Sequence, residues 1–166
     1  QTRLGVVYFP ITGEVFYAQF GRGAWHDGKR LICAEHQSLD CSWVEMNHYG
    51  NHRWETEFYQ DLWERLRSDH GAQVVTSNLP YSGVAVRIAQ GVGAPAIAIH
   101  DNNPDHPKQG PWDIAAPQIV LEEAGGVFLN PKGQRTNLWQ PEPIIVARSE
   151  QLGRQVLDLA TRNILA

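Results

Sequence analysis

From residue 73 to the end of the chain, short apolar runs alternate with segments of helical periodicity, and this alternation limits the fold more than any other feature. Residues 73–76, 96–100, 127–129 and 144–147 have the length and β-branched content of strands. Between them, Ser82 is placed to cap a helix that carries Val84, Val86, Ile88 and Ala89 to Gly91. A second helix is expected from about Ile114 to Ala124, stopped by Gly125-Gly126, and Ser149 is placed to cap a third with Leu152, Val156, Leu159 and Ala160 on one side. Parallel strands need crossovers long enough to hold a helix, so the pattern implies an α/β fold with a mainly parallel sheet covered by helices.

The start of the chain reads differently. Residues 4–9 are rich in β-branched and aromatic side chains, residues 10–13 supply turn chemistry, and residues 15–20 alternate apolar and polar positions. Asp27-Gly28, between residues 24–26 and 29–31, suits a type I′ hairpin because both can take positive φ. Residues 1–35 are therefore expected to form an antiparallel β-meander, and residues 36–166 the α/β domain. Residues 42–45 can form another short strand. Trp54, Phe58, Leu62 and Leu66 recur every fourth residue, with Trp63 beside them, and predict an amphipathic helix over residues 54–69 ended by Gly71. Asn130-Pro131-Lys132-Gly133 is a turn.

Composition removes several functions. Lys and Arg number 14 against 18 Asp and Glu, a net charge of −4, so the chain lacks the basic surplus of a nucleic-acid-coating surface. The longest weakly polar stretch, residues 83–99, is broken by Arg87, Gln90 and Pro95, short of the roughly 20 apolar residues of a membrane-spanning helix. Cys33 and Cys41 are too few for a disulfide framework and lack metal-ligand spacing, so they read as thiols of a reducing, cytoplasmic compartment. The only methionine is Met46, and the chain runs from Gln1 almost at once into a strand, so a segment of a longer protein is expected.

Catalytic motifs are scarce. No Gly-x-Ser-x-Gly elbow, Walker-type loop or His-Glu-x-x-His helix occurs. Asp101, Asn103 and Asp105 begin like a calcium loop, but His106 stands where glycine makes the sharp turn and Trp112 where a bidentate glutamate belongs. His100 and His106 lack further ligands at supporting spacing, and His26 and His36 read as surface residues. The informative stretch is Pro111-Trp112-Asp113-Ile114-Ala115-Ala116, followed by Glu122-Glu123-Ala124-Gly125-Gly126. A carboxylate where a helix begins can hold a hard cation such as magnesium through oxygen, while free helix N–H groups attract phosphate. The same residue can equally be a helix cap. Open α/β sheets bind ligands beyond the carboxyl ends of their strands, where such helices start.

These two motifs resemble the C-terminal signature of the inositol monophosphatase family of magnesium-dependent phosphatases. Gly5-Val6-Val7-Tyr8, residues 16–20, Gly21-Arg22-Gly23-Ala24 and Asp27-Gly28-Lys29-Arg30 resemble that family's central β-meander, in the same order. The resemblance implies that the chain has the fold of the family's C-terminal half, that Asp113 is a catalytic magnesium (Mg2+) ligand, and that Ser77 faces the substrate. It also implies that an acidic residue of the 91–112 stretch grips a substrate hydroxyl, with Asp101 and Asp105 as candidates. Two features depart from the pattern: Pro117 stands where the family has a small residue, and residues 91–112 are longer than usual. Proline fits only a first helical turn, so the helix is expected to begin at Ile114 or just before it.

The family's remaining metal ligands, a Glu-Glu segment and an Asp-Pro-x-Asp-Gly-Thr loop upstream of the meander, are absent. Hydrolysis of a small phosphomonoester such as inositol monophosphate is therefore expected of a longer parent, and this segment alone should be inactive and poorly soluble. Nucleotide bisphosphates and sugar bisphosphates are alternative substrates, and a non-catalytic anion-binding relative is the alternative from another class. The resemblance further implies a homodimer of the full-length form, with a small phosphorylated metabolite as its partner and neither nucleic acid nor membrane.

Overall fold

The computed structural model describes residues 1–33, 38–47, 57–77, 79–91, 97–100, 110–139 and 144–161. The first four strands are β1 (Leu4–Tyr8), β2 (Val15–Gln19), β3 (Gly23–His26) and β4 (Lys29–Leu31). They pair antiparallel in chain order, as the alternating pattern predicts. The β3–β4 turn has Asp27 at φ 46° and Gly28 at φ 80°, the double positive φ expected of that dipeptide. Strand alternation puts Gly5, Val7, Phe16, Ala18, Ala24 and Leu31 on one buried face.

The remaining elements are β5 (Trp43–Asn47), α1 (Glu57–Ser68), β6 (Gln73–Ser77), α2 (Tyr81–Gln90), β7 (Ile97–His100), α3 (Pro111–Glu123), β8 (Val127–Leu129), β9 (Ile144–Ala147) and α4 (Glu150–Thr161). Their strands form a second sheet in the order β6-β5-β7-β9-β8. The short strand expected at residues 42–45 thus becomes β5, which pairs parallel with both β6 and β7. β9 runs antiparallel to both β7 and β8, so β5, β6, β7 and β8 share one direction and β9 opposes them. After β8, Asn130 Oδ1 accepts the N–H groups of Lys132 and Gln134 at 3.0 Å and Gly133 takes φ 70°, so the chain turns at once, with no helix among the described residues of the connection to β9.

Two helix starts differ from expectation. α2 begins at Tyr81 with Pro80 as its N-cap residue, so Ser82 lies inside the helix and caps nothing. Pro80 takes the cap position itself, extended (φ −67°, ψ 161°), with its carbonyl accepting the Val84 N–H at 3.1 Å, and no side chain caps the first turn. α3 begins at Pro111, three residues before Ile114, and Pro117 lies in its interior. Pro111 occupies the first turn, where a missing N–H costs nothing; Pro117 costs one bond, the N–H that would reach the Asp113 carbonyl. The other expected cap is present, with Ser149 Oγ accepting the Leu152 N–H at 3.2 Å. In α1, Leu62 and Leu66 are buried as the four-residue spacing predicts, and Gly71 follows at φ 60°; residues 54–56 lie outside the described residues.

The layers are sheet, helices, sheet, helices. One core joins the inner face of the meander to α2, α3 and Phe128, Ile144 and Val146 of the second sheet. The other lies between the opposite face of that sheet (Val44, Met46, Ile145, Ala147) and α1 and α4 (Leu62, Leu66, Leu152, Val156). Among the described residues no helix is long and apolar enough to cross a membrane.

α3 is held at two places. At Gly5 the helix comes so close to β1 that a Cβ would collide with Ile119 Cγ2 and lie 3.0 Å from the Ala116 backbone. At its far end the Glu123 carboxylate accepts the Gly21 and Gly23 N–H groups, each at 2.8 Å. Gly5→Ala is expected to cost about 1–3 kcal/mol through overpacking, because part of the obstacle is backbone that cannot swing away. A lowered thermal unfolding midpoint checks this, and an unchanged midpoint contradicts the close approach.

Candidate functional site

The directions of the strands decide where a ligand can meet this chain. α2 follows β6 and leads to β7, and α3 leads from β7 to β8, which runs the same way. Both helices therefore run back along the sheet and start at the edge where β5, β6 and β7 end. The register sets the last residues of those strands side by side: Asn47 pairs with Ser77 on one flank and with His100 on the other. Ser77 is thus at the carboxyl edge of the sheet, just before α2. The helix N-termini bring unbonded N–H groups and positive dipole ends to the same edge.

The start of α3 is well defined. Gly110 is the N-cap residue (φ −101°, ψ 174°), Pro111 opens the helix, and Asp113 is the third helical residue. Asp113 N–H donates to the Gly110 carbonyl at 3.0 Å, and Asp113 Oδ2 accepts the Gly110 N–H at 2.9 Å. The carboxylate thus closes the helix start from inside the first turn, in the manner of a capping-box acid. Oδ1 has no partner among the described residues, and the side chain is exposed. Capping and ligand binding are therefore compatible roles: one oxygen fixes the side chain and the other has no partner among the described residues. Trp112 is 78% exposed, and its ring lies against Gly110, where any Cβ would strike it.

Asp101 and Asp105 lie outside the described residues, together with His106 and the loop that carries them, and so does His36. Among the described residues, no group of three or more His, Cys, Asp and Glu is placed to hold a metal ion. Asp113 offers a hard oxygen donor of the kind Mg2+ takes, but one carboxylate is too little for a site that usually combines carboxylates, waters and substrate oxygens.

Two other polar groups have different positions from those the sequence suggests. His26 is not a surface residue: it pairs with Phe16 across the strands, on the inner face, and its ring stacks on Phe16 at 4.1 Å. Its Nε2 lies 3.3 Å from both Glu14 Oε1 and Asp27 Oδ2, and Gln90 Nε2 of α2 lies 3.4 Å from Nδ1. Glu45, which reads as an ordinary strand residue, is 1% exposed, with Arg87 of α2 at 3.7 Å, and Arg87 also lies over the Trp43 ring. The one sequence signal for that tie is a carboxylate amid the apolar residues of β5.

The chain belongs to the inositol monophosphatase family, whose model matches residues 1–164. It is 29% identical over 137 residues to the fructose-1,6-bisphosphatase/inositol-1-monophosphatase of Thermotoga maritima, covering 82% of this chain and 47% of that protein. Inositol monophosphatase 2 of Solanum lycopersicum is 30% identical over 137 residues, covering 81% and 48%. The chain therefore spans about half the length of the curated relatives it matches. Among solved structures, a Thermotoga maritima IMPase superposes with a TM-score of 0.75 at 23% identity, covering 98% of this chain and 57% of that one. The extragenic suppressor protein suhB of Bartonella henselae gives 0.77 at 19% identity, covering 96% and 57%. These likenesses bear out the α/β fold with its antiparallel meander.

The two thiols are free and differ in accessibility. Cys41 is exposed, whereas burial pushes the Cys33 thiol up to about 11, against a smaller opposing effect of the Arg148 charge. Only the thiolate alkylates, so at pH 8 iodoacetamide is expected to modify Cys41 well before Cys33. The gap should narrow as pH rises toward 11, as peptide mass mapping would show; equal rates at pH 8 would contradict the burial of Cys33.

Proposed function

We propose that this chain supplies the Asp113 side of the active site of a magnesium-dependent phosphatase that hydrolyses a small phosphomonoester. The observation that carries the reading is Asp113 itself, exposed and fixed to Gly110 through Oδ2 with Oδ1 unpartnered among the described residues, on a helix that starts at the carboxyl edge of the sheet. Magnesium, when bound, lowers the pKa of a water and offsets charge on the phosphoryl oxygens. This chain's part is to hold one oxygen ligand rigidly and to present the N–H groups at the starts of α2 and α3 to the phosphate. Ser77, at the end of β6, stands at the same edge for contact with the substrate. Asp101 or Asp105 is proposed to grip a substrate hydroxyl, with residues 101–111 shaping the leaving-group pocket.

The names of the relatives support a sugar phosphate or inositol phosphate as substrate. Among the described residues one carboxylate is placed for the metal, too few to assemble the site, so turnover is proposed of a longer protein and not of residues 1–166 alone. The test is a chimera in which residues 1–166 replace the matching part of the Thermotoga maritima relative. It is expected to release phosphate from inositol 1-phosphate or fructose 1,6-bisphosphate only with Mg2+ present, while residues 1–166 alone release none. Asp113→Asn in the chimera should lower kcat by about 100-fold or more, since it removes a charged ligand. A chimera whose rate is unchanged by Asp113→Asn would refute the metal role.

A further inference from the structure

Gly110 is glycine for a reason that its backbone does not supply. Its φ of −101° and ψ of 174° are extended values open to any residue, and they are the values that a following proline, here Pro111, favours. What excludes a side chain is Trp112, since a Cβ on Gly110 would collide with Cζ2, Cε2 and Cη2 of the indole. Side chains on a helix lean toward its N-terminus, so an indole at the second helical position falls back over the residue before the first. A contrast in exposure results. Trp112 is 78% exposed and Asp113 is exposed, yet Gly110 is buried. The N–H that Asp113 Oδ2 accepts at 2.9 Å therefore belongs to a covered peptide, although its acceptor belongs to an exposed residue.

We propose that Trp112 is a positioning residue for Asp113: its indole covers the Gly110 amide, keeps water from competing for that N–H, and so holds the Asp113 carboxylate in its capping rotamer with Oδ1 left for a ligand. The consequence for a metal rests on the phosphatase reading, whereas the cover does not. A hydrogen bond to an exposed carboxylate is weakened wherever water can reach the donor and strengthened where apolar surface displaces that water. A carboxylate held by its own chain also loses less freedom when a ligand arrives. In this role Trp112 acts through Gly110 and touches neither metal nor substrate. Gly110-Pro111-Trp112-Asp113 is thus one unit: the proline sets the backbone of the glycine, the glycine leaves room for the indole, the indole covers the amide, and the amide holds the carboxylate.

The experiment uses the isotope-labelled chimera with the Thermotoga maritima relative, in which Trp112→Ala removes the cover, Gly110→Ala displaces it and Trp112→Phe replaces it with another ring. In the metal-free protein, exchange of the residue-110 amide with water, read by NMR, is expected to quicken several-fold in both alanine variants and to stay near the parent rate in Trp112→Phe. Thermal midpoints should remain close to the parent's, because an exposed side chain yields where backbone would not. The Mg2+ concentration for half-maximal phosphate release is expected to rise about tenfold in both alanine variants, more than kcat at saturating Mg2+ falls, and to be restored by Trp112→Phe. Unchanged exchange at residue 110 in both alanine variants would overturn the proposal. So would faster exchange with an unmoved Mg2+ requirement in a chimera whose rate depends on Asp113. Where Asp113→Asn leaves the rate intact, it is the metal reading that fails, and the exchange rates alone then decide whether the indole covers the cap.

Discussion

The close approach of α3 to β1 at Gly5 is the constraint on which the rest of this structure depends. The helix lies between the meander and the second sheet, and its buried residues Ile114, Ile119, Val120 and Leu121 belong to the core that joins the two. Because Gly5 presents only backbone, Ile119 settles against the strand itself, and a larger residue would push the helix outward. Glu123 fixes the remaining freedom, sliding along the axis, by holding two amides of the β2–β3 turn with its two carboxylate oxygens. Charge-assisted bonds of this kind are each worth about 1.5–3 kcal/mol net, enough to define a register that apolar contact alone leaves loose.

That fixed helix gives Asp113 its meaning. A carboxylate on a loop could cap or bind wherever the loop carried it, but one in the first turn of an anchored helix has its position decided ten residues away. Gly5 and Glu123 thus bear on the candidate site without touching it. The tie from Asp113 Oδ2 to the Gly110 N–H then removes most of the side chain's own freedom. The helix cap, and not a ligand, holds the Asp113 rotamer, which is the preorganisation that the proposed metal role asks of it.

Much of this was legible in the sequence, and the parts that were not have identifiable reasons. Alternation of period two marked the meander, and Asp27-Gly28 located its hairpin, because those signals are local. The direction of β9 was not legible, since it depends on whether residues 130–143 cross over or turn back. Ser82 and Pro117 misled for a shared reason: propensity rules describe isolated helices, whereas the boundaries here were set by Pro80 and Pro111, which fix φ at the entrances to α2 and α3. His26 misled because polarity suggested solvent, while its register opposite Phe16 put its ring on the inner face. At the site, Asp113 and its helix were readable, but the adjacency of Asn47, Ser77 and His100 emerges only from pairing strands distant in sequence.

The two faces of the meander carry the same message in different forms. The inner face follows the rule for a half-buried sheet, with small and apolar residues against α3, and its β1 contribution is Gly5 and Val7. If the outer face met water in the functional protein, Leu4, Val6 and Tyr8 would gain nothing from being apolar, and polar residues there would hold the strand just as well while blunting the edge. Strand β1 is thus apolar on both faces, inward through Gly5 and Val7 and outward through Leu4, Val6 and Tyr8. At the carboxyl edge of the second sheet, likewise, α3 holds the Asp113 carboxylate in place through a bond internal to the helix start, whatever lies beyond it.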